Sequence, residues 1–259
     1  MILAFNIGNS NITFGGYTPD GKLVFSSRLF ADTALSSDEL LYKIVNMLAL
    51  YGTEPHQITA VIFSSVVPAL TPRLREALRK MCECQIMEVG PGLKSGVRIR
   101  MDNPAQLGAE LLCGAVAALE EGPGPLAVIS ADTAISIMAV NGRQELVGGV
   151  ILPGPQLSLS ALVQKTAQLP QIDLSAPASS SILGKNTSAC LQNGFVLGTA
   201  GLLDGLAERF QAELGPEIRF YATGNLPRTI REACRTPIEY REYLITDGLY
   251  RIWQKNRKG

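Results

Sequence analysis

Apolar residues recur along this chain in short runs of period two and longer runs of period three to four, in an order that occurs twice. Ile2–Ile7, Ile12–Tyr17 and Lys22–Leu29 read as three strands joined by the turns GNSN and TPDG, an antiparallel meander. Ser36, Ser37 and Asp38 then cap a helical stretch, DELLYKIVNMLALYG, whose apolar positions fall three and four apart and which ends on Gly52. Thr59–Val67 is an apolar strand and Pro72–Met81 an amphipathic helix. A strand reached through a helical crossover implies parallel addition to the sheet. The same order returns with strands at Leu126–Ile129, Ala134–Val140 and Glu145–Ile151, a helix over LSLSALVQKTAQL after the turn LPGPQ, and a later parallel strand at Arg219–Thr223. Ala105–Glu120 and Thr187–Leu214 read as helices apolar enough to join two halves, 1–121 and 122–259, with a cleft between them. EEGPGP at 120–125 reads as the hinge, and SAPASSS at 175–181 as a mobile surface loop.

The repeat is sharpest where chemistry is expected. LAFNIGNSNITF, from Leu3 to Phe14, and AVISADTAISIM, from Ala127 to Met138, are each a strand, a tight turn of small polar residues and a second strand. This is the footprint of a duplicated nucleotide-binding α/β fold, in which each turn offers backbone N–H groups to phosphate oxygens and an acid closing the strand holds a metal ion. Here those closing positions are Asn6 and Ser130.

Composition narrows the partners. The chain has 259 residues, 46% of them hydrophobic, enough for one large core or two closely packed halves. With 23 basic and 23 acidic residues its net charge is zero, which favours neither nucleic acid nor an anionic membrane and suits a small-molecule substrate. No segment approaches the ~20 apolar residues of a membrane-spanning helix, and the N-terminal MILAFNIGNSN lacks the basic region of a signal peptide. The single histidine, His56, argues against Ser-His-Asp chemistry and multi-histidine metal sites. Five scattered cysteines, of which only Cys82 and Cys84 are close in sequence, read as reduced thiols and point to a cytoplasmic protein.

A longer series of motifs resembles a known family across nearly the whole chain. In order it comprises IGNSNITFG (7–15), SSVVPAL (64–70), GPGLKSG (90–96), DNPAQLGAE (102–110), GGVILPG (148–154), GKNT (184–187), GTAGLLDGLAERF (198–210) and YATGNL (221–226). This series is similar to the type III pantothenate kinases, members of the actin, sugar kinase and Hsp70 superfamily. The resemblance implies a duplicated ribonuclease-H-like (actin-like ATPase) α/β fold with two mixed sheets. It also implies a homodimer that uses ATP, magnesium and a monovalent cation (potassium or ammonium) to phosphorylate the primary hydroxyl of pantothenate, opening coenzyme A synthesis. By the same resemblance Gly8, Asn9 and Ser10 form the first phosphate turn, Asp132, Thr133 and Ala134 belong to the second, and Gly224 approaches the nucleotide. Gly108, Asn186 and Thr187 would face pantothenate.

Six positions depart from the family pattern, all at chemically active places. Asn6 stands where the family has aspartate, leaving Asn6 and Asp132 as the metal-contacting candidates. The family's G-A-D-R is Gly108-Ala109-Glu110-Leu111 here, so Glu110 becomes the general base and the pantothenate-binding arginine is gone. Met101 replaces a usual tyrosine, Ser130 the acid linked to the monovalent cation, and Asp132 a glycine beside phosphate. These changes imply kinase turnover that is reduced or lost. The alternatives are a catalytically inactive homologue serving as a ligand-binding or regulatory dimer, and a kinase retuned to a less polar alcohol.

Overall fold

The computed structural model describes residues 1–176 and 181–257. Positions 177–180 of the SAPASSS segment, expected to be a mobile loop, lie outside the described residues. The elements in chain order are β1 (Ile2–Ile7), β2 (Asn11–Tyr17), β3 (Leu23–Phe30), α1 (Ser37–Leu50), β4 (Ala60–Ser65), α2 (Thr71–Met81), β5 (Gln85–Glu88), β6 (Arg98–Ile99) and α3 (Ala109–Glu120). They continue with β7 (Leu126–Ala131), β8 (Ala134–Val140), β9 (Glu145–Pro153), α4 (Pro155–Gln164), α5 (Thr187–Leu214), β10 (Arg219–Gly224), α6 (Arg228–Ala233), β11 (Ile238–Tyr240) and α7 (Leu244–Asn256). Two compact units result. The first comprises 1–98, 102–121 and the chain from 243 onward; the second comprises 99–101 and 122–242.

The first sheet has the order β3-β2-β1-β4-β5 and the second β11-β10-β7-β8-β9-β6. Apart from β6 the two match strand for strand: β1 pairs antiparallel with β2 and parallel with β4, as β7 does with β8 and β10. The duplicated mixed α/β architecture expected from the repeat is therefore the architecture observed. In register, Asn6 lies opposite Ser64, and its counterpart Ser130 lies opposite Thr223.

Both central strands are sandwiched. Leu3, Phe5 and Ile7 point into a core with Phe14, Leu40, Ile44, Leu74 and Leu78, whereas Ile2 and Ala4 on the opposite face pack with Cys113, Val116, Leu249 and Ile252. Strands covered on both faces read as continuous apolar runs, as β1 does. In the second unit Ala127, Ile129 and Ala131 meet Val196, Ala200 and Leu203 of α5 and Phe220 and Ala222 of β10.

Local signals set most boundaries. Ser36 and Glu39 form a capping box at the start of α1, each side chain accepting from the other's backbone N–H. The helix expected over 105–120 is broken: Pro104–Gln106 is a single 3₁₀ turn, Leu107 and Gly108 are extended, and α3 begins at Ala109. Helix α4 begins two residues before the expected start, because Pro155 is pre-set for the first helical position, and it ends at Gln164 rather than 169. The short strands β5, β6 and β11 and the helix α6 carried no periodicity long enough to announce them.

Helix α7 is fastened to the first sheet. The Tyr17 hydroxyl donates to Asp247 Oδ1 at 2.7 Å and lies 2.9 Å from the Thr246 hydroxyl, and burial, then the Asp247 charge, pushes its pKa up. Tyr250 stacks on the Tyr17 ring, with centroids 5.0 Å apart, and donates to the Pro19 carbonyl at 2.8 Å. Gly248 lets α7 approach α3 so closely that a Cβ there would overlap the Cys113 carbonyl.

All five cysteines are free. Cys113 is buried and Cys190 exposed; Cys82 and Cys84 have sulfurs 2.7 Å apart, and burial, then the Cys82 hydrogen bond, pushes the Cys84 thiol up to about 12. Among the described residues no group of three or more His, Cys, Asp or Glu side chains is gathered for a metal ion. No described helix is long and apolar enough to cross a membrane.

Gly248→Ala forces α7 off the Cys113 backbone and is expected to cost about 1–3 kcal/mol of stability, measured as a lowered urea midpoint; an unchanged midpoint would mean the two helices part freely. Iodoacetamide at neutral pH should modify Cys190 first and Cys113 only after unfolding, as peptide mass spectrometry resolves.

Candidate active site

The carboxyl ends of β1 and β7 each lead into a tight turn; Asn6, Gly8–Ser10 and Glu110 lie at or beside the first and Ser130, Asp132–Ala134 and Gly224 at or beside the second, whereas Met101, Asn186 and Thr187 lie elsewhere in the chain. In the first unit β1 and β2 form a hairpin closed by the Gly8 N–H donating to the Asn11 carbonyl at 2.9 Å. Asn9 and Ser10 sit at its tip, and the Ser10 carbonyl accepts from Ala31 N–H at 3.0 Å, which anchors the turn to the end of β3.

Asn6 is the last polar position of β1 and only 8% exposed. Its Oδ1 accepts from the fully buried Ser64 hydroxyl at 2.7 Å, and its Nδ2 donates to Glu110 Oε2 at 3.4 Å. The assignment of amide oxygen and nitrogen follows from chemistry: an ionised carboxylate only accepts, so the nitrogen must face Glu110, while the serine hydroxyl supplies the proton on the other side. The Asn6 oxygen thus faces Ser64.

Glu110 occupies the first turn of α3, where the helix N-terminus stabilises a negative charge by roughly 0.3–1 kcal/mol. The carboxylate is also felt one turn later, since burial, then the Glu110 charge, pushes the Cys113 thiol up. Gly108 is the N-cap of this helix, and a Cβ there would meet Leu111 and Val66 only at ordinary contact distance. Leu111, standing where the resemblance calls for arginine, is 8% exposed and turned into the apolar interior. Within this unit, then, Asn6, Ser64 and Glu110 are brought together, with Gly8–Ser10 immediately after the strand.

The second turn is built from backbone contacts. Asp132 N–H donates to the Ala134 carbonyl at 2.9 Å, and Gly154 N–H to the Thr133 carbonyl at 2.9 Å. Two glycines press on this turn: a Cβ on Gly224 would overlap the Ala131 carbonyl, and one on Gly154 would overlap the Asp132 and Thr133 carbonyls. Gly224 also has φ of +83°, a conformation that favours glycine. Its carbonyl accepts from the Tyr240 hydroxyl at 2.8 Å, and the Arg231 guanidinium stacks over the Tyr240 ring at 3.9 Å. The Asp132 side chain accepts from Asn225 Nδ2 at 2.7 Å, while the Asn225 backbone N–H donates to the Ala131 carbonyl. Ser130 is half-buried one residue before the end of β7.

Asn186 and Thr187 are exposed at the start of α5, where Asn186 is the N-cap and its Oδ1 accepts from Ala189 N–H at 2.8 Å. That bond accounts for the Asn186 oxygen as a helix cap. Met101 is half-buried in the short stretch after β6.

A magnesium ion takes oxygen ligands, commonly one or two carboxylates together with substrate phosphates and water. In the first unit the anionic oxygen at the turn belongs to Glu110, and in the second it belongs to Asp132. Asn6 would hold a cation more weakly than a carboxylate, because its oxygen is neutral and one of its two lone pairs already accepts from Ser64. Sequence reasoning did not identify Ser64, Asn225 or Tyr240 as partners of these turns. SSVVPAL and YATGNL contain the first two, but only the register of β4 on β1 and the path of the chain after β10 show what they touch.

A family model described as type III pantothenate kinase matches residues 2–209. A type III pantothenate kinase of Geotalea daltonii is 36% identical over 258 residues, covering 100% of both chains. Another, of Solibacter usitatus, is 35% identical over 256 residues, 99% of this chain and 97% of the relative. Among solved structures, component A of the (R)-2-hydroxyglutaryl-CoA dehydratase of Acidaminococcus fermentans superposes with a TM-score of 0.55 at 12% identity, covering 97% of this chain and 95% of that one. The activator of the 2-hydroxyisocaproyl-CoA dehydratase from Clostridium difficile, with bound ADPNP, gives 0.52 at 11% identity, covering 100% and 98%. At such identities these two likenesses concern the fold alone, the two-sheet α/β fold of actin-like ATPases and sugar kinases. The family model and the two full-length relatives establish that this chain belongs to the type III pantothenate kinase family.

Proposed function

We propose that this protein catalyses ATP-dependent phosphorylation of pantothenate at a reduced rate, with Glu110 as the general base. The observation that carries this reading is the Glu110 carboxylate itself, stabilised by the start of α3 and held by Asn6 at the end of β1. In the reaction the Glu110 carboxylate takes the proton of the primary hydroxyl of pantothenate as the oxygen attacks the γ-phosphorus of ATP. The new P–O bond forms as the bond to the β–γ bridging oxygen breaks, and ADP leaves. Backbone N–H groups of the Gly8–Ser10 and Thr133–Ala134 turns would orient the phosphates, and Gly224 would let the backbone lie close to the nucleotide. Bound magnesium would offset charge on the phosphates, with Asp132 its holder in the second unit.

The reduced rate follows from what these residues lack. Leu111 offers no guanidinium to the pantothenate carboxylate, a charge-assisted hydrogen bond worth roughly 1.5–3 kcal/mol. Glu110 sets its carboxylate one methylene further along than aspartate would, and displacement of a reacting group by about 1 Å can cost on the order of a hundredfold in rate. Ser130 brings no charge to a monovalent cation, so dependence on potassium or ammonium is expected to be slight. A homodimer in the cytoplasm completes the reading, by analogy with the family. A second reading, a catalytically inactive homologue that keeps the scaffold as a ligand-binding or regulatory dimer, is favoured by the engagement of Asn6 with Ser64 and of Asp132 with Asn225.

The deciding experiment is mass-spectrometric detection of phosphopantothenate after incubation with pantothenate, magnesium ATP and potassium. Product is expected, and Glu110→Gln should lower kcat by about 10²–10⁴. No product from folded protein would select the inactive homologue. Asp132→Asn removes the carboxylate that would hold magnesium and should raise the KM for magnesium ATP by on the order of tenfold, read from initial rates or, without turnover, from nucleotide titration by calorimetry; a lowered KM would mean that Asp132 repels the phosphates instead.

A further inference from the structure

Asn6 has a geometry that the change from aspartate to asparagine does not by itself require. An asparagine relieved of metal binding could lie in any rotamer, yet here both ends of the amide are engaged: Ser64 Oγ donates to Oδ1 at 2.7 Å, and Nδ2 donates to Glu110 Oε2 at 3.4 Å. Ser64 sits opposite Asn6 in the parallel β1–β4 register and is fully buried, so its position is set by the sheet. The chain of contacts therefore runs from a rigid strand, through a planar amide, to a carboxylate on a helix 104 residues away in sequence. Glutamate is the longer acid, and its extra methylene adds to the reach of Glu110 from the first turn of α3 toward the end of β1.

We propose that Asn6 is a positioning residue for Glu110, with Ser64 as its anchor, and that positions 6 and 110 work as a matched pair in which an amide-to-carboxylate hydrogen bond replaces a cation. Two carboxylates at this spacing would repel one another unless a cation lay between them. One amide and one carboxylate satisfy each other without it. The pairing rests on the reading of Glu110 as the base, but it makes statements that hold whether or not the protein turns over.

The first test is nuclear magnetic resonance of the Asn6 side-chain amide, assigned by its loss in Asn6→Ala. Glu110→Gln should shift both Asn6 amide proton resonances, and Ser64→Ala should shift them too. Glu217→Gln, in the second unit, should leave them in place. Amide resonances blind to Glu110→Gln would overturn the proposal. The second test is manganese(II) binding to the nucleotide-free protein, followed by the electron paramagnetic resonance signal of the free ion. Asn6→Asp should bind manganese at least about tenfold more tightly than the parent protein, since it places two carboxylates where one stood. Asn6→Asp combined with Glu110→Gln should lose that gain. A gain that survives in the double variant would show that Glu110 is not the partner. If phosphopantothenate is formed, Asn6→Ala should lower kcat while the KM for ATP stays within about twofold, as expected when a misaligned base rather than a lost nucleotide contact is at fault. A KM change in place of the kcat change would also overturn the positioning role. Absence of product from the parent protein would refute the kinase reading and leave the resonance and manganese tests decisive for the pair.

Discussion

A strand buried on both faces can tolerate a polar side chain only at its end, and there only if every polar atom is matched. β1 is such a strand, and the first half of the candidate site is organised by how Asn6 is matched. An unpaired amide in this setting would cost about 1–3 kcal/mol, so the sheet itself demands a donor from β4 and an acceptor from beyond it. Parallel pairing with β4 delivers the donor at Ser64; α3 delivers the acceptor at Glu110. Structure and candidate chemistry thus share the same three side chains. The second unit solves the corresponding problem with a smaller residue, Ser130, and moves its polar pairing outward to Asp132 and Asn225, where the turn is shaped by glycine contacts.

This difference between the halves bears on how such a site changes over time. Replacing a buried aspartate by asparagine removes a charge but keeps the shape, so the strand, the hairpin and the core around Phe5 and Ile7 need not move. The scaffold motifs and the altered chemical positions can therefore coexist in one chain. Membership of the family follows from the former, whereas the rate of reaction depends on the latter.

Much of this was legible in the sequence, for identifiable reasons. The duplication was visible because both β1–β2 and β7–β8 have the same alternation of apolar strand, small polar turn and apolar strand, and the two sheets do correspond strand for strand. The limits of α5 were readable because Asn186 caps one end and Gly215 follows the other. The break before α3 was less so: Pro104 and Gly108 are helix-compatible at a helix start, and only the extended backbone at Leu107 separates the turn from the helix. Strand β11 has three residues, too few for a period to show. At the site, Glu110 and Asn6 were identifiable from the motifs that carry them, but Ser64 as the residue joining them was not, because a partner across a parallel pair is fixed by register, which no local pattern encodes.

The attachment of α7 has a consequence for how the chain comes into being. The core of the first unit combines Ile2 and Ala4 with Leu249, Tyr250, Ile252 and Trp253, and the bond from Tyr17 to Asp247 spans 230 positions. A chain emerging from the ribosome presents the first sheet early but completes its covering last. The second unit is nearly continuous in sequence from 122 to 242 and can close while the first still waits. The half made first is finished second, and throughout elongation the face of β1 that bears Ile2 and Ala4 lacks its final cover, an interval in which this protein depends on whatever shields nascent hydrophobic surface in its cell.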